Sequence, residues 1–349
     1  MKKITQRDSN IELLRIIAML MVLILHADFQ ALGQPSAVDI ASKPASSAIR
    51  VLLEMMSLGA VNIFVLISGW FTIKPSVKGF ISFVFQWVFF SVGIYAVSVL
   101  LGSTQITLKE FARCFSLISA DTYWFIPSYM CLYLFAPVLN TFISNTSKRE
   151  HLIVIMCFFI YQTIYSFVGA GASFLMKGYS ALSFMGLYLL ASYVRRYYRI
   201  EIVSKQLYLY CYFALSVVLT LVFLIGVLLG YDSIASRMTC YSNPLLILAS
   251  LSLLLFFVKI SFKSNCINWI SKSCFAVYLL HSSPFLYFNA YLRSISIYQG
   301  YPFRIIYVVL LWFIVAILVD KVRLKVWDSL SSKLFNENSS IYRLIKYKG

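Results

Sequence analysis

Charge is what this sequence has least of: 12% of its residues are Asp, Glu, Lys or Arg, and 13 acids stand against 30 bases. With 60% hydrophobic residues and a mean hydropathy of +0.82, that composition excludes an ordinary soluble protein of 349 residues. Histidine occurs three times, and the seven cysteines form no C-x-x-C pair and have no histidine at zinc spacing, so no metal site is expected. Most of the cysteines fall in apolar runs, where a thiol behaves as a small apolar group. Cys114 and Cys240 both fall in segments read as outer loops and could reach one another, but no disulfide is expected. No internal repeat is visible, and no stretch is polar enough for a separate soluble domain. The basic start and apolar core at the N-terminus lack a small-x-small cleavage site before His26, so this segment is expected to be retained.

What the chain does have is apolar runs, continuous rather than alternating, and therefore helices rather than barrel strands. They lie near 11–30, 51–73, 79–102, 124–144, 152–169, 179–194, 207–230, 243–260, 272–292 and 303–322. Each approaches the ~20 residues a bilayer needs. The expected fold is all-α, a polytopic membrane protein of about ten transmembrane helices. The net charge of +17 would point to nucleic acid in a soluble chain, but here its distribution reports topology, and no nucleic-acid partner is expected. With the N-terminus inside, 21 Lys and Arg fall in cytoplasmic segments and 8 in outer ones. That asymmetry places both termini in the cytoplasm of a multi-pass protein of the inner or plasma membrane. Residues 1–325 read as the membrane domain. The basic tail, 326–349, reads with the end of the last span as an amphipathic helix on the inner leaflet.

The first run, Ile11 to Asp28, organises the rest. Arg15 and His26 are eleven residues apart, within about 20° of one helix face and about 16 Å apart along its axis. One wall of one helix thus carries a cation at one depth and an imidazole at another, the two places where the segment is costly to bury in lipid. Glu12, one turn before Arg15, can pair with it. The bland reading is a membrane anchor with a snorkelling arginine and an interfacial histidine. A titratable ring at membrane depth is nevertheless a functional candidate.

Four other places carry polar groups. The second span contains Asn62 and Ser68-Gly69, the latter a pair that suits close helix packing. Lys74 and Lys78 follow it and suit either lipid headgroups or the phosphates of a soluble ligand. The stretch from Ser116 to Asn140 mixes rings and polar groups. Asp121, Tyr123, Trp124, Ser128 and Tyr129 suit an interfacial belt or a sugar, whose faces stack on rings while its hydroxyls need acceptors. His281 sits in the ninth span, one turn after Tyr278, with Pro284 available to loosen the helix nearby.

Several of these stretches together resemble the integral-membrane acyltransferase 3 family, most of all its bacterial polysaccharide O-acetyltransferases. The resemblance is carried by IELLRIIAMLMVLILH, NIFVLISGWF, YWFIPSYMCLYLFAPVLN and WISKSCFAVYLLH, which span nearly the whole chain in order. It implies that Arg15 and His26 are catalytic, His26 as the residue required for acyl transfer, with Glu12 and His281 supporting. It also implies a cytosolic acyl-CoA, expected to be acetyl-CoA, as donor substrate rather than a permanently bound cofactor. The acceptor would be a hydroxyl of a cell-surface polysaccharide or lipid-linked sugar. Arg15, Lys74 and Lys78 would hold the acyl-CoA, and Asp121, Tyr123, Trp124 and Tyr129 the acceptor. Many members carry an Arg-x-x-Arg pair where this chain has Lys74 and Lys78. Lysine binds phosphate as a point charge but lacks the bidentate fork. The extra hydrolase-like domain of some relatives is missing here, so the membrane part or a separate protein is expected to complete transfer. An imidazole, with an ordinary pKa near 6.5, suits either a general base or a nucleophile that is itself acylated. The rival reading is a transporter or flippase of a lipid-linked saccharide with Arg15 and His26 lining its path, although no inverted repeat supports it.

Overall fold

The structure, a computed structural model, describes residues 8–115, 123–169 and 175–335, and every regular element among them is helical. In chain order, α1 (Ser9–Leu25) runs on as a π-helical turn (His26–Gln30), and α2 (Ala37–Ser42) and α3 (Pro44–Leu58) lead through Gly59 into α4 (Ala60–Phe71). Then come α5 (Val77–Leu100), α6 (Leu108–Arg113), α7 (Phe125–Asn145) and α8 (Lys148–Gln162), the last extended by a π-helical turn (Thr163–Val168). α9 (Ala181–Tyr197), α10 (Lys205–Leu228), α11 (Asp232–Met238), α12 (Pro244–Val258) and α13 (Asn265–Ser271) follow. The chain continues through α14 (Cys274–His281), a π-helical turn (Tyr287–Leu292) and α15 (Arg293–Ser296) to α16 (Pro302–Leu334).

Among the described residues, seven segments are long and apolar enough to cross a membrane: Ser9–Gln30, Pro44–Phe71, Val77–Leu100, Phe125–Asn145, Lys148–Val168, Lys205–Leu228 and Pro302–Leu334. The other three runs read as spans contain shorter helices, α9 of 17 residues, α12 of 15 and α14 of 8. α14 stops at His281 because Pro284, without an N–H, cannot continue the ladder. Ser283 O instead accepts the N–H groups of Leu286 and Tyr287 at 2.9 and 2.8 Å.

Two boundaries differ from the sequence reading. α3 starts at Pro44, ahead of the expected 51, because proline suits the first helical turn and the Ser36–Asp39 capping box sets α2 just before it. α16 runs unbroken for 33 residues, so the expected boundary at 326 lies inside a helix; residues 336–349 of the tail lie outside the described residues. Cys114 and Cys240 do not bridge. All seven cysteines are free, and these two thiols donate locally, Cys114 to Ser91 O at 3.6 Å and Cys240 to Ser236 O at 3.4 Å.

The chain forms two units, residues 1–73 with 125–271, and residues 74–124 with 272–349. In the first, α1 packs against α3, α4, α12 and α13. Its N-terminal end is tied down by Asn10, which donates to Phe257 O at 2.8 Å, and by Ser9, whose hydroxyl accepts the Ser264 N–H at 2.9 Å. Gly69 lets α4 lie directly on α9, since a Cβ there would stand 2.4 Å from Tyr188 O. Arg195 and Arg196 donate to the carbonyls of Trp70 and Ile143, placing cations on the C-terminal ends of α4 and α7, where the helix dipole favours them.

The second unit packs α14 and α16 on α5, with Phe83 stacked on Phe275 at 5.2 Å and Phe85 against Trp327 at 5.2 Å. At its centre is a buried ion pair on α16, Arg323 Nε to Asp320 Oδ1 at 2.5 Å, with side chains 3% and 0% exposed. Gln86 donates to the same carboxylate at 3.2 Å, and Lys321 donates to Ser273 at 2.9 Å.

Two outcomes follow from this packing. Gly69→Val drives a branched side chain into backbone that cannot yield, and should cost at least the ~1–3 kcal/mol of an overpacked core, read as a lower melting temperature in detergent. Arg323→Ala strands Asp320 and should cost about 3–5 kcal/mol, whereas the Asp320→Leu/Arg323→Met pair should recover most of that loss in the same melt.

Candidate functional site

Arg15 reaches Glu12 across one helical turn at 2.5 Å; the Glu12 side chain is 4% exposed and that of Arg15 31%. The carboxylate is thus inside the first unit and the guanidinium at the edge of its interior. The Arg15 charge acts on the Tyr129 hydroxyl of α7, and that hydroxyl shares a 3.1 Å hydrogen bond with Ser68 of α4. Three helices therefore bring polar groups together around Arg15.

His26 is half-buried and opens the π-helical turn, with the buried residues Ala27, Asp28 and Phe29 immediately after it. Its carbonyl accepts the Ala31 N–H five residues on, at 3.1 Å, and the widened turn changes which side chains share a face. Eleven residues of helix still separate Arg15 from His26, about 16 Å of rise. Asp28 is held by Arg50 of α3 through Nε at 2.7 Å and the terminal nitrogen at 2.5 Å; the same guanidinium donates to Gly33 O at 2.6 Å. Glu54, one turn further along α3, is 5% exposed and accepts the Phe29 backbone N–H. Within electrostatic reach of Glu54 is Tyr179, in the turn before α9. Asp28, Arg50, Glu54 and Tyr179 form a polar group around the π-helical turn that the sequence reading did not assemble.

The other expected site residues are distributed as follows. Tyr123 is buried in the second unit, its ring 5.8 Å from Tyr278 and its hydroxyl donating to Leu279 O at 2.5 Å, which is a packing role. Trp124 is half-buried in that unit too, whereas Tyr129 belongs with Arg15 in the first. Asp121 lies outside the described residues. His281 is fully buried in the second unit, Nδ1 against Val277 O at 2.6 Å and Nε2 against the Ser282 hydroxyl at 3.1 Å, with Tyr291 packed on its ring at 5.0 Å. With both ring nitrogens engaged inside its own unit, it is a satisfied core histidine.

Lys74 and Lys78 are exposed at the start of α5 in the second unit, with Lys78 over the Phe335 ring at 5.6 Å. Just before Lys74 a closed ring of hydrogen bonds fixes the exit from α4. Ile73 N–H donates to Tyr188 Oη at 2.9 Å, Tyr188 donates to Asn140 at 2.6 Å, and Asn140 donates back to Ile73 O at 2.8 Å. That ring holds Thr72 at φ 55°, in the left-handed region that a β-branched residue rarely enters.

Comparison with protein families agrees with the resemblance at the level of the family. The family model described as an acyltransferase domain, acyltransferase 3, matches residues 8–320. No curated protein and no solved structure matches the chain. With α1, its Arg15 and His26, and all seven long apolar helices falling at least in part within the matched span, the chain belongs to the acyltransferase 3 family and is a multi-pass membrane acyltransferase.

Proposed function

We propose that this acyltransferase moves an acyl group, acetyl in the simplest case, from cytosolic acyl-CoA to a hydroxyl of an extracytoplasmic or lipid-linked polysaccharide. The observation that carries the reading is the division of α1 into two polar levels. Arg15, supported by Glu12, lies toward one end, and His26 lies about 16 Å further along at the π-helical turn. That separation is of the order of an extended pantetheine arm. Arg15 binds the anionic end of the coenzyme, and the thioester is delivered beside the imidazole.

There, neutral His26 takes the proton of the acceptor hydroxyl as its oxygen bonds to the thioester carbonyl carbon. Collapse of the tetrahedral intermediate breaks the C–S bond, and the proton passes from the imidazolium to the leaving thiolate. These atoms balance without a covalent enzyme intermediate, so direct attack is the route stated. A transporter of a lipid-linked saccharide would place the same residues along a path for the whole sugar.

His26→Ala should lower surface-glycan ester content by the ~10²–10⁴-fold worth of a general base while polymer yield is unchanged, both read by mass analysis of surface polysaccharide. Loss of the polymer itself would favour transport instead. Incubation with acyl-labelled acyl-CoA in the absence of acceptor should leave His26 unlabelled; label on that ring that chases into added polymer would replace direct attack with an acyl-imidazole route.

A further inference from the structure

Glu54 is a carboxylate without a full set of partners in the part of the first unit nearest the histidine. It is 5% exposed on α3, inside a segment apolar enough to cross a membrane. One oxygen accepts the Phe29 N–H, and the other is buried with no hydrogen-bond partner among the described residues. Its natural counter-ion, Arg50, is committed elsewhere, bound through two nitrogens to Asp28 and also to Gly33 O. Buried polar atoms are almost always paired in folded proteins, so an unfilled acceptor at this position marks a place for a donor from outside the chain.

The surroundings say what kind of donor. Within electrostatic reach of Glu54 is Tyr179, half-buried, its ring edge-on to Tyr241 at 4.7 Å. Both rings have a fixed backbone: Ser128 donates to Tyr179 O at 3.0 Å, and Asn62, 1% exposed, donates to Tyr241 O at 3.1 Å. A fixed ring within reach of an unpartnered carboxyl is a composition that binds a saccharide, whose C–H face packs on the ring while a hydroxyl donates to the carboxyl oxygen. A metal ion would need more ligands than one free oxygen, and no group of three metal-ligating side chains occurs among the described residues.

We propose that Glu54 is an acceptor-binding residue: its unpartnered oxygen accepts a hydrogen bond from a hydroxyl of the incoming saccharide, with the Tyr179 ring against the sugar. The proposal rests on the acyl-transfer reading and places the acceptor at α3 and the turn before α9. The same carboxylate, through Phe29, holds the turn on which His26 is carried, so the sugar and the imidazole are registered to one piece of backbone.

The test uses full-length enzyme in detergent, acetyl-CoA as donor, and surface polysaccharide of the source cells de-esterified by mild alkali as acceptor. Glu54→Gln preserves shape and replaces the carboxyl with an amide. It should raise the KM for polymer roughly twofold to tenfold, the net value of one hydrogen bond, with the KM for acetyl-CoA unchanged. Tyr179→Leu, at a half-buried turn position, should raise the polymer KM in the same direction and serves if Glu54→Gln does not fold. Unchanged polymer KM in both variants, or a donor KM that rises in step with it, overturns the assignment. Wild-type enzyme that transfers no acyl group to the polymer contradicts the acyl-transfer reading itself, and the assignment falls with it.

Discussion

Arg15 can stand on an apolar helix because Glu12, one turn earlier, holds its guanidinium at 2.5 Å. An unpaired charge among Leu, Ile and Met side chains is expensive, and removing either member of such a pair leaves the other without compensation. Much else around α1 follows from that constraint. The Tyr129–Ser68 pair adds neutral hydroxyls near the cation, Asn10 and Ser9 fix the end of the helix from which the cation projects, and no second carboxylate is needed there. At the other end the arrangement differs. Asp28 and Glu54 flank one arginine, which is turned toward Asp28, so a buried carboxyl without an ion-pair partner among the described residues remains near the turn that carries His26.

The backbone leaves regular geometry at three places in particular. A π-helical turn begins at His26, α14 breaks at Ser282 before Pro284, and Thr72 adopts φ 55° at the exit from α4. Each departure is held by named partners: Glu54 takes the Phe29 N–H, Ser283 O takes two amides, and the Ile73–Tyr188–Asn140 ring fixes the residue after Thr72. In a protein whose helices are mostly regular, these irregularities mark positions where the surrounding structure supports a strained or open backbone.

The sequence made α1 legible because its two polar residues interrupt an otherwise apolar run at a spacing that puts them on one face. Helix type was legible for the same reason, since continuous apolar runs have few alternatives in lipid. The polar group around the π-helical turn was not, because Arg50 lies in a segment read as a loop and helical periodicity does not show that Phe29 offers its amide to a side chain on α3. The available signal was Glu54 itself, a carboxylate within a run read as a span. His281 could be read two ways from the sequence, as a packed residue or as a supporting one. A rare residue near an apparent helix break attracted a supporting role, yet both its nitrogens are engaged inside its own unit. Tyr123 likewise has the composition of a sugar platform and the position of a packing residue.

The central claim is that one helix joins a coenzyme at one membrane face to a hydroxyl at the other, through Arg15 and His26. It is tested most directly in sealed vesicles of uniform orientation, with acyl-labelled acyl-CoA confined to the face bearing the N-terminal end of α1 and de-esterified polysaccharide confined to the opposite face. Labelled ester on the polymer in that arrangement, absent in the His26→Ala protein, is the predicted result. Ester that forms only when donor and polymer share a face would contradict the account.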